Sequence, residues 1–139
     1  MNIETSPNYS RPRLIIDERL YTRLVALAER ARAQAPELAE RLLVEIERAD
    51  LRAPSEMPDD VVTLGSEVTF REHDRTRTVY IVAPEDADIE HRKISVLTPV
   101  GAALLGLVVG QKISWEMPDK RVAVLEVLGV RQPNDAPPH

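Results

Sequence analysis

The chain has 139 residues, of which 43% are hydrophobic and 29% are charged, and it contains no cysteine. This composition fits one soluble globular domain with an appendage, and it excludes disulfides, cysteine metal sites and thiol nucleophiles. The net charge of −5 arises after residue 53, because residues 1–53 carry nine basic and nine acidic side chains. An acidic C-terminal part favours a basic protein partner over direct contact with nucleic acid.

The two ends of the chain are predicted to lie outside the folded part. Residues 1–13 are polar, do not resemble a signal peptide, and are expected to form a flexible leader. Residues 132–139 hold three prolines and are expected to form a disordered tail. No apolar run approaches the roughly 20 residues that span a bilayer, so we expect a cytoplasmic protein without a membrane partner.

Two amphipathic helices are predicted within residues 14–53. Asp17 is suited to cap the first helix, and Pro36 breaks the pattern and is suited to open the second. The apolar faces comprise Leu20, Leu24, Leu27 and Ala31 in the first helix and Leu38, Leu42, Ile46 and Ala49 in the second. Helices joined by so short a link are expected to form an antiparallel hairpin, a short coiled coil with arms of about 20–25 Å.

A β-domain is predicted at residues 61–131, after a proline-containing linker at residues 54–60. Val68 and Phe70 alternate with polar neighbours, which is typical of a strand with one buried and one exposed face. Trp115 lies in another alternating strand and is expected in the core. The predicted strands cover residues 61–64, 67–72, 77–83, 93–97, 111–117 and 121–130.

Residues 93–110 are predicted to organise this domain, because they combine a strand, a capped short helix and two turns. Thr98 is suited to cap the helix, and Pro99 to occupy its first position. Gly106 is predicted to end the helix in the left-handed conformation, and Gly110 to mark the second turn. We therefore expect an α+β fold in which the sheet is wrapped around one short helix.

The sequence contains few candidates for catalysis or metal binding. His73, His91 and His139 are not spaced as metal ligands, and we expect neither a metal nor a cofactor. Glu37 and Glu40 lie one turn apart near the predicted hairpin tip and could hold Mg²⁺. Acidic residues in a first helical turn also favour the helix dipole without any further role, and this second interpretation is preferred.

An acidic stretch, Pro84-Glu85-Asp86-Ala87-Asp88-Ile89, lies between two predicted strands. Three acidic side chains within four positions can dock on a basic helix, but they can equally form a solvated loop. The physical properties of these residues do not decide between the two interpretations.

These motifs, in this order, resemble the C-terminal domain of the Gre transcript-cleavage factors over roughly residues 61–130. The matching motifs are Glu85-Asp86-Ala87-Asp88-Ile89, Lys93-Ile94-Ser95, Thr98-Pro99-Val100-Gly101-Ala102-Ala103-Leu104-Leu105-Gly106 and Val109-Gly110. Three features resemble a narrower Gre-like family, the regulators of nucleoside diphosphate kinase. They are the segment Glu56-Met57-Pro58-Asp59-Asp60-Val61-Val62-Thr63, the short hairpin, and the run Pro-Val-Gly-Ala-Ala-Leu-Leu-Gly-Leu at residues 99–107.

The resemblance implies both a fold and a partner. The fold is a small β-sheet on one short helix, similar to FKBP-type prolyl isomerases, with an N-terminal coiled-coil hairpin. The partner is bacterial RNA polymerase, because Gre-type domains dock on a helical hairpin of its β′ subunit at the entrance of the secondary channel. The residues that the resemblance assigns to this contact are Asp86, Ala87, Asp88, Ser95, Thr98 and Pro99.

This chain also departs from the Gre pattern. In Gre factors a longer hairpin carries two tip carboxylates that help to hold a catalytic Mg²⁺, whereas Glu37 and Glu40 do not fall in that tip motif. Thr98 stands where serine is usual, and Gln111 where an acidic residue is common.

We therefore expect a non-enzymatic transcription regulator that competes with Gre-type factors for RNA polymerase and affects nucleoside diphosphate kinase indirectly. The alternative is a cleavage-stimulating elongation factor that uses Glu37 and Glu40. A prolyl isomerase is disfavoured, because 4% aromatic residues can hardly line the required pocket. We expect a monomer, although Leu43 and Val44 could extend an exposed apolar stripe.

Overall fold

A computed structural model describes residues 12–117 and 119–133. Within these residues the α-helices are α1 (Tyr21–Arg30), α2 (Pro36–Glu47) and α3 (Pro99–Leu104). The strands are β1 (Ile15–Asp17), β2 (Asp50–Arg52), β3 (Glu67–Glu72), β4 (Arg75–Val82), β5 (Lys93–Ser95), β6 (Lys112–Glu116) and β7 (Val122–Arg131). None of the described helices is long and apolar enough to cross a membrane.

The N-terminal helices pack on one another, as predicted, but they are shorter than expected. The end of α1 tightens into a 3-10 helix at Ala31–Ala33, and α2 stops at Glu47, before Ala49 of the predicted apolar face. At 1.5 Å per residue the regular α-helices are therefore about 15 and 18 Å long. Asp17 caps the first turn as predicted, because its carboxylate accepts a hydrogen bond of 2.9 Å from the Arg19 backbone N–H. The coiled-coil character of the pair stays a prediction.

Strands β1 and β2 form a parallel pair that joins the two ends of the helical region. Ile15 lies opposite Asp50 and Ile16 opposite Leu51. The sequence did not predict β2, which falls in a stretch without an apolar pattern. Its conformation depends instead on backbone contacts such as the 2.7 Å hydrogen bond that Asp50 N donates to Leu14 O.

The main sheet has five strands in the order β5-β4-β3-β7-β6, with β4 and β5 parallel and the other neighbours antiparallel. Five of the six predicted strands are present, the first of them with the predicted bounds, 67–72. Residues 61–64 are the exception, since Val61 makes an isolated bridge to Val108. Val68, Phe70 and Trp115 are buried, as predicted. The likeness to prolyl isomerases stays a prediction.

Helix α3 lies inside the core and confirms the predicted cap. The Thr98 hydroxyl accepts a hydrogen bond of 3.1 Å from Gly101 N, and Pro99 occupies the first helical position. One continuous hydrophobic cluster contains Leu24 of α1, Leu42 of α2 and the sheet residue Phe70. The helical pair therefore shares its core with the sheet.

The backbone around Gly106 connects three parts of the chain. Its carbonyl accepts a 3.1 Å hydrogen bond from Ile15 N in β1, and its N–H donates one of 2.9 Å to Val62 O. Val62 N in turn donates to Leu107 O at 2.8 Å. Gly106 has the predicted left-handed conformation, with φ of +81°, and a Cβ here would come within 2.6 Å of Leu14 Cβ.

The end of β7 is held by the first residue of the predicted tail. Ser66 Oγ donates a hydrogen bond of 2.7 Å to Gln132 Oε1. Gln132 Nε2 donates to Asp59 O at 3.1 Å and to Val61 O. Residue 132 is therefore held by the fold rather than forming part of a free tail. Residues 134–139 of that tail, and residues 1–11 of the predicted leader, lie outside the described part of the chain.

We predict that Gly106→Ala destabilises the protein more than Gly110→Ala, although both glycines have a positive φ. At Gly110, where φ is +95° and no atom lies within 4 Å of an added Cβ, the cost is about 1–2 kcal/mol of backbone strain. At Gly106 the overlap with Leu14 adds about 1–3 kcal/mol. Urea denaturation of both variants measures the difference, and equal losses would contradict the close approach.

Candidate functional site

The acidic loop, residues 84–91, connects the parallel neighbours β4 and β5 and contains two short 3-10 turns. Its backbone is held by local hydrogen bonds. Asp86 N donates to Ala83 O at 2.9 Å, and Asp88 and Lys93 exchange two N–H···O bonds of 2.9 Å. Because these bonds fix the loop before any partner binds, little backbone entropy remains to be lost on docking.

The acidic side chains of this loop are exposed: Glu85, Asp86, Asp88 and Glu90. His91 Nδ1 lies 2.7 Å from Asp88 Oδ2, and this hydrogen bond lowers the pKa of Asp88 below its ordinary value. The pKa of Glu85 is also lowered, mainly by a hydrogen bond with its own backbone and to a smaller extent by Arg23, whose guanidinium lies 3.1 Å away. Both carboxylates therefore stay charged at pH values below those at which an ordinary carboxyl group takes up its proton.

Ile89 lies among these acids with its side chain 78% exposed, well above the 47% of Val44. Ile89 belongs to the motif that resembles the Gre domain, but the sequence did not predict it as a contact residue. The available signal was a branched apolar residue between two acidic ones in a loop, where no burial pattern accounts for it. A single exposed apolar side chain is common on protein surfaces, and Ile89 becomes a candidate contact residue because it lies in the acidic motif that the Gre resemblance assigns to polymerase contact.

The second predicted contact segment, residues 95–99, begins at the last residue of β5, and its hydroxyl groups form hydrogen bonds within the segment. Ser95 Oγ accepts a 2.9 Å hydrogen bond from Leu97 N, and Thr98 Oγ donates one of 2.8 Å to Ser95 O. Ser95, Thr98 and Pro99 are partly buried. Strand β5 therefore brings the two predicted segments together, but the outward side chains are mainly those of the loop, whereas Ser95 and Thr98 shape the turn.

Near the predicted hairpin tip, Glu40 is engaged by a neighbour. Arg32 bonds to Glu29 at 2.7 Å and to Glu40 at 3.1 Å, and these hydrogen bonds, the one with Glu29 first, raise the pKa of Arg32. Glu37 is exposed in the first turn of α2, where an acid favours the helix dipole. Within residues 12–117 and 119–133 no three histidine or acidic side chains are grouped to hold a metal ion.

Comparison with known proteins identifies the family. Residues 57–132 match the C-terminal region of the transcription elongation factors GreA and GreB. The regulator of nucleoside diphosphate kinase of Escherichia coli strain K12 is 40% identical over 121 residues, which cover 86% of this chain and 89% of that protein. This chain belongs to the Gre-like regulators of nucleoside diphosphate kinase.

The structural comparison agrees with this membership. A prokaryotic GreA/GreB elongation factor from Nitrosomonas europaea superposes with a TM-score of 0.68 and 35% identity, over 85% of this chain and 98% of that one. The resemblance to Gre factors and the mixed α+β, Gre-like fold are thus confirmed. GreA of Thermodesulfovibrio yellowstonii is 31% identical, but the match covers 58% of this chain and about half, 52%, of GreA.

We predict that His91→Ala raises the pKa of Asp88 toward its ordinary value. The carboxylate loses its hydrogen bond to the imidazole, the largest cause of the lowered pKa. In the wild type, the lowered pKa of Asp88 stabilises the folded state at pH values above the ordinary pKa of an aspartate. This stabilisation is lost as the pH falls through the lowered pKa. NMR titration of the Asp88 carboxyl measures the shift. His73→Ala, on the turn between β3 and β4, is the control, and an unchanged pKa in His91→Ala would contradict the contact.

Proposed function

We propose that this chain is a non-enzymatic transcription regulator that binds bacterial RNA polymerase at the secondary channel and competes there with Gre-type factors. The observation that carries the proposal is the acidic loop, where four exposed carboxylates lie on the same short segment as the exposed Ile89. Family membership supports RNA polymerase as the partner. A helical hairpin of the β′ subunit, as the Gre resemblance implies, is the proposed docking surface.

The loop combines two contributions that act differently in binding. The carboxylates of Asp86 and Asp88 attract a basic surface and speed association, and this effect weakens as salt screens the charges. Ile89 offers an apolar anchor, whose complete burial against a partner is worth about 1.5–3 kcal/mol. A partner with basic residues around an apolar groove would satisfy both contributions.

The proposal includes no stimulation of transcript cleavage. Cleavage of the Gre type, as the resemblance implies, requires two carboxylates that reach the polymerase active centre. In this protein Glu40 is bonded to Arg32, and the two helices are only about 15 and 18 Å long. Each missing helical turn withdraws the tip by about 5 Å, and misplacement of even 1 Å is costly to catalysis. Any effect on nucleoside diphosphate kinase is then indirect, through transcription.

We also propose that the protein acts as a monomer. Leu43 is 7% exposed and belongs to the core cluster, so it does not extend the apolar stripe that the sequence suggested. Val44 beside it is 47% exposed, and a single exposed apolar side chain on a helix needs no partner to explain it.

We predict that Asp86→Ala/Asp88→Ala weakens binding to RNA polymerase core enzyme several-fold at low salt, and less at moderate salt, because the lost attraction is screened. Ile89→Ser is expected to weaken binding by about tenfold at both salt concentrations, because it removes an apolar anchor. Titration of labelled protein with core enzyme measures both effects.

The matched control is Asp74→Ala, an exposed acidic residue on the turn between β3 and β4. It changes the net charge in the same direction but lies outside the acidic loop, so binding should stay close to that of the wild type. Equal losses from Asp74→Ala would indicate a general charge effect, and absence of wild-type binding would overturn the proposed partner.

We predict that the wild-type protein does not stimulate RNA cleavage in arrested elongation complexes, in which a GreA factor serves as the positive control. Glu37→Ala/Glu40→Ala should still bind core enzyme, because neither carboxylate lies in the acidic loop. Shortened RNA with the wild-type protein, lost in the double variant, would establish the alternative of a cleavage-stimulating factor.

A further inference from the structure

Helix α2 is joined to strand β6 by the side chain of Arg41. Its guanidinium carbon lies 4.5 Å from the centre of the Trp115 ring. Nη1 donates a hydrogen bond of 3.1 Å to Glu116 O, and Nη2 lies 3.8 Å from the Glu116 carboxylate. One side chain thus makes a cation–π contact, a backbone hydrogen bond and an ion pair with consecutive residues of one strand.

These contacts border a groove between the start of α2 and the β-domain. The groove measures about 450 Å³, and its walls come from both parts of the molecule. Gln34 and Glu37 lie on the helical side, whereas Pro99 and Met117 lie on the domain side. Pro99 is one of the residues that the Gre resemblance assigns to polymerase contact. The turn that joins α1 to α2, residues 31–35, therefore lies beside part of the surface that this chain would present to the polymerase.

We infer that Arg41 is a positioning residue that holds the first half of α2 against β6 and fixes the α1–α2 turn next to Pro99. The planar guanidinium can stack on the indole while its nitrogens reach two oxygens, a combination that lysine reproduces only in part. The side chain is 31% exposed, so water competes with these contacts less than at a fully exposed ion pair.

The held turn has a consequence for binding. A turn fixed beside Pro99 meets the polymerase in one orientation, whereas a released turn must be ordered on binding, at a cost in free energy. This consequence rests on the proposed function, but the position of α2 in the free protein does not.

The free protein provides its own test, because Trp115 is the single tryptophan of the chain. Arg41→Met keeps much of the aliphatic packing but removes the charge and the hydrogen-bond donors that hold α2 against β6. Water should then reach the indole, and the Trp115 emission should shift toward longer wavelength. Arg41→Lys, which retains a cation, should restore the emission in part. Arg71→Met, which removes an exposed ion pair with Glu126 within the main sheet, is the matched control and should leave the Trp115 emission unchanged.

A distance measurement separates positioning from a local effect on the indole. The sequence has no cysteine, so Ala33→Cys near the turn and Thr76→Cys on β4 can carry two spin labels without a background. The distance distribution should be narrow with Arg41 and broader with Arg41→Met, at unchanged helix content by circular dichroism. Emission and distance distributions that both match the wild type would overturn the inference.

Binding of the same variants to RNA polymerase core enzyme tests the role of Arg41 in docking. Arg41→Met, with its acidic loop intact, should bind core enzyme between roughly two- and tenfold more weakly, which is the cost of ordering the released turn. Wild-type affinity in a variant whose turn is released would overturn the role in docking. If the wild type itself fails to bind, the proposed function fails, whereas the fluorescence and distance results still decide the role of Arg41.

Discussion

The need to pair the buried backbone of residues 105–107 is the constraint on which the rest of the structure depends. A buried peptide group without a hydrogen-bond partner is costly, so this segment after α3 must find donors and acceptors on both sides. Ile15 supplies the donor on one side and Val62 both groups on the other. Because Gly106 has no side chain, Leu14 can lie directly against it. The first strand, the start of the β-domain and the central helix are thereby fixed relative to one another, and the helical pair is attached where the first strand ends.

The six residues that the Gre resemblance assigned to polymerase contact divide into two physical roles. Asp86, Ala87 and Asp88 are exposed on a loop whose backbone is already ordered, so they are available to a partner. The hydroxyl of Thr98 is used within the protein, where it accepts from Gly101 N and donates to Ser95 O. A serine hydroxyl can form the same cap, which explains physically why Thr98 can stand where Gre factors usually have serine.

The elements that the sequence predicted well depend on local patterns. The alternation around Phe70 predicted β3 with its bounds, and Thr98-Pro99 predicted the start of α3, because capping and pleating involve neighbouring residues. The elements that were missed depend on distant ones. Strand β2 exists because β1 lies beside it, and the contact of Arg41 with Trp115 joins residues 74 positions apart. Likewise, the exposure of Ile89 could not be read from its hydrophobicity, which by itself favours burial.

The parallel pair of β1 and β2 has a further consequence for how such proteins can diversify. It closes the helical region at its base, so both chain ends of that region enter the same small sheet. The helices also share a core with the main sheet, through residues such as Leu24 and Leu42. A recombination event that replaced α1 and α2 alone would keep the β1–β2 pair but remove the core partners of the main sheet, which would leave an open apolar surface. Helices of a different length therefore need matching core contacts on the main sheet, so the helical region and the sheet can change only together.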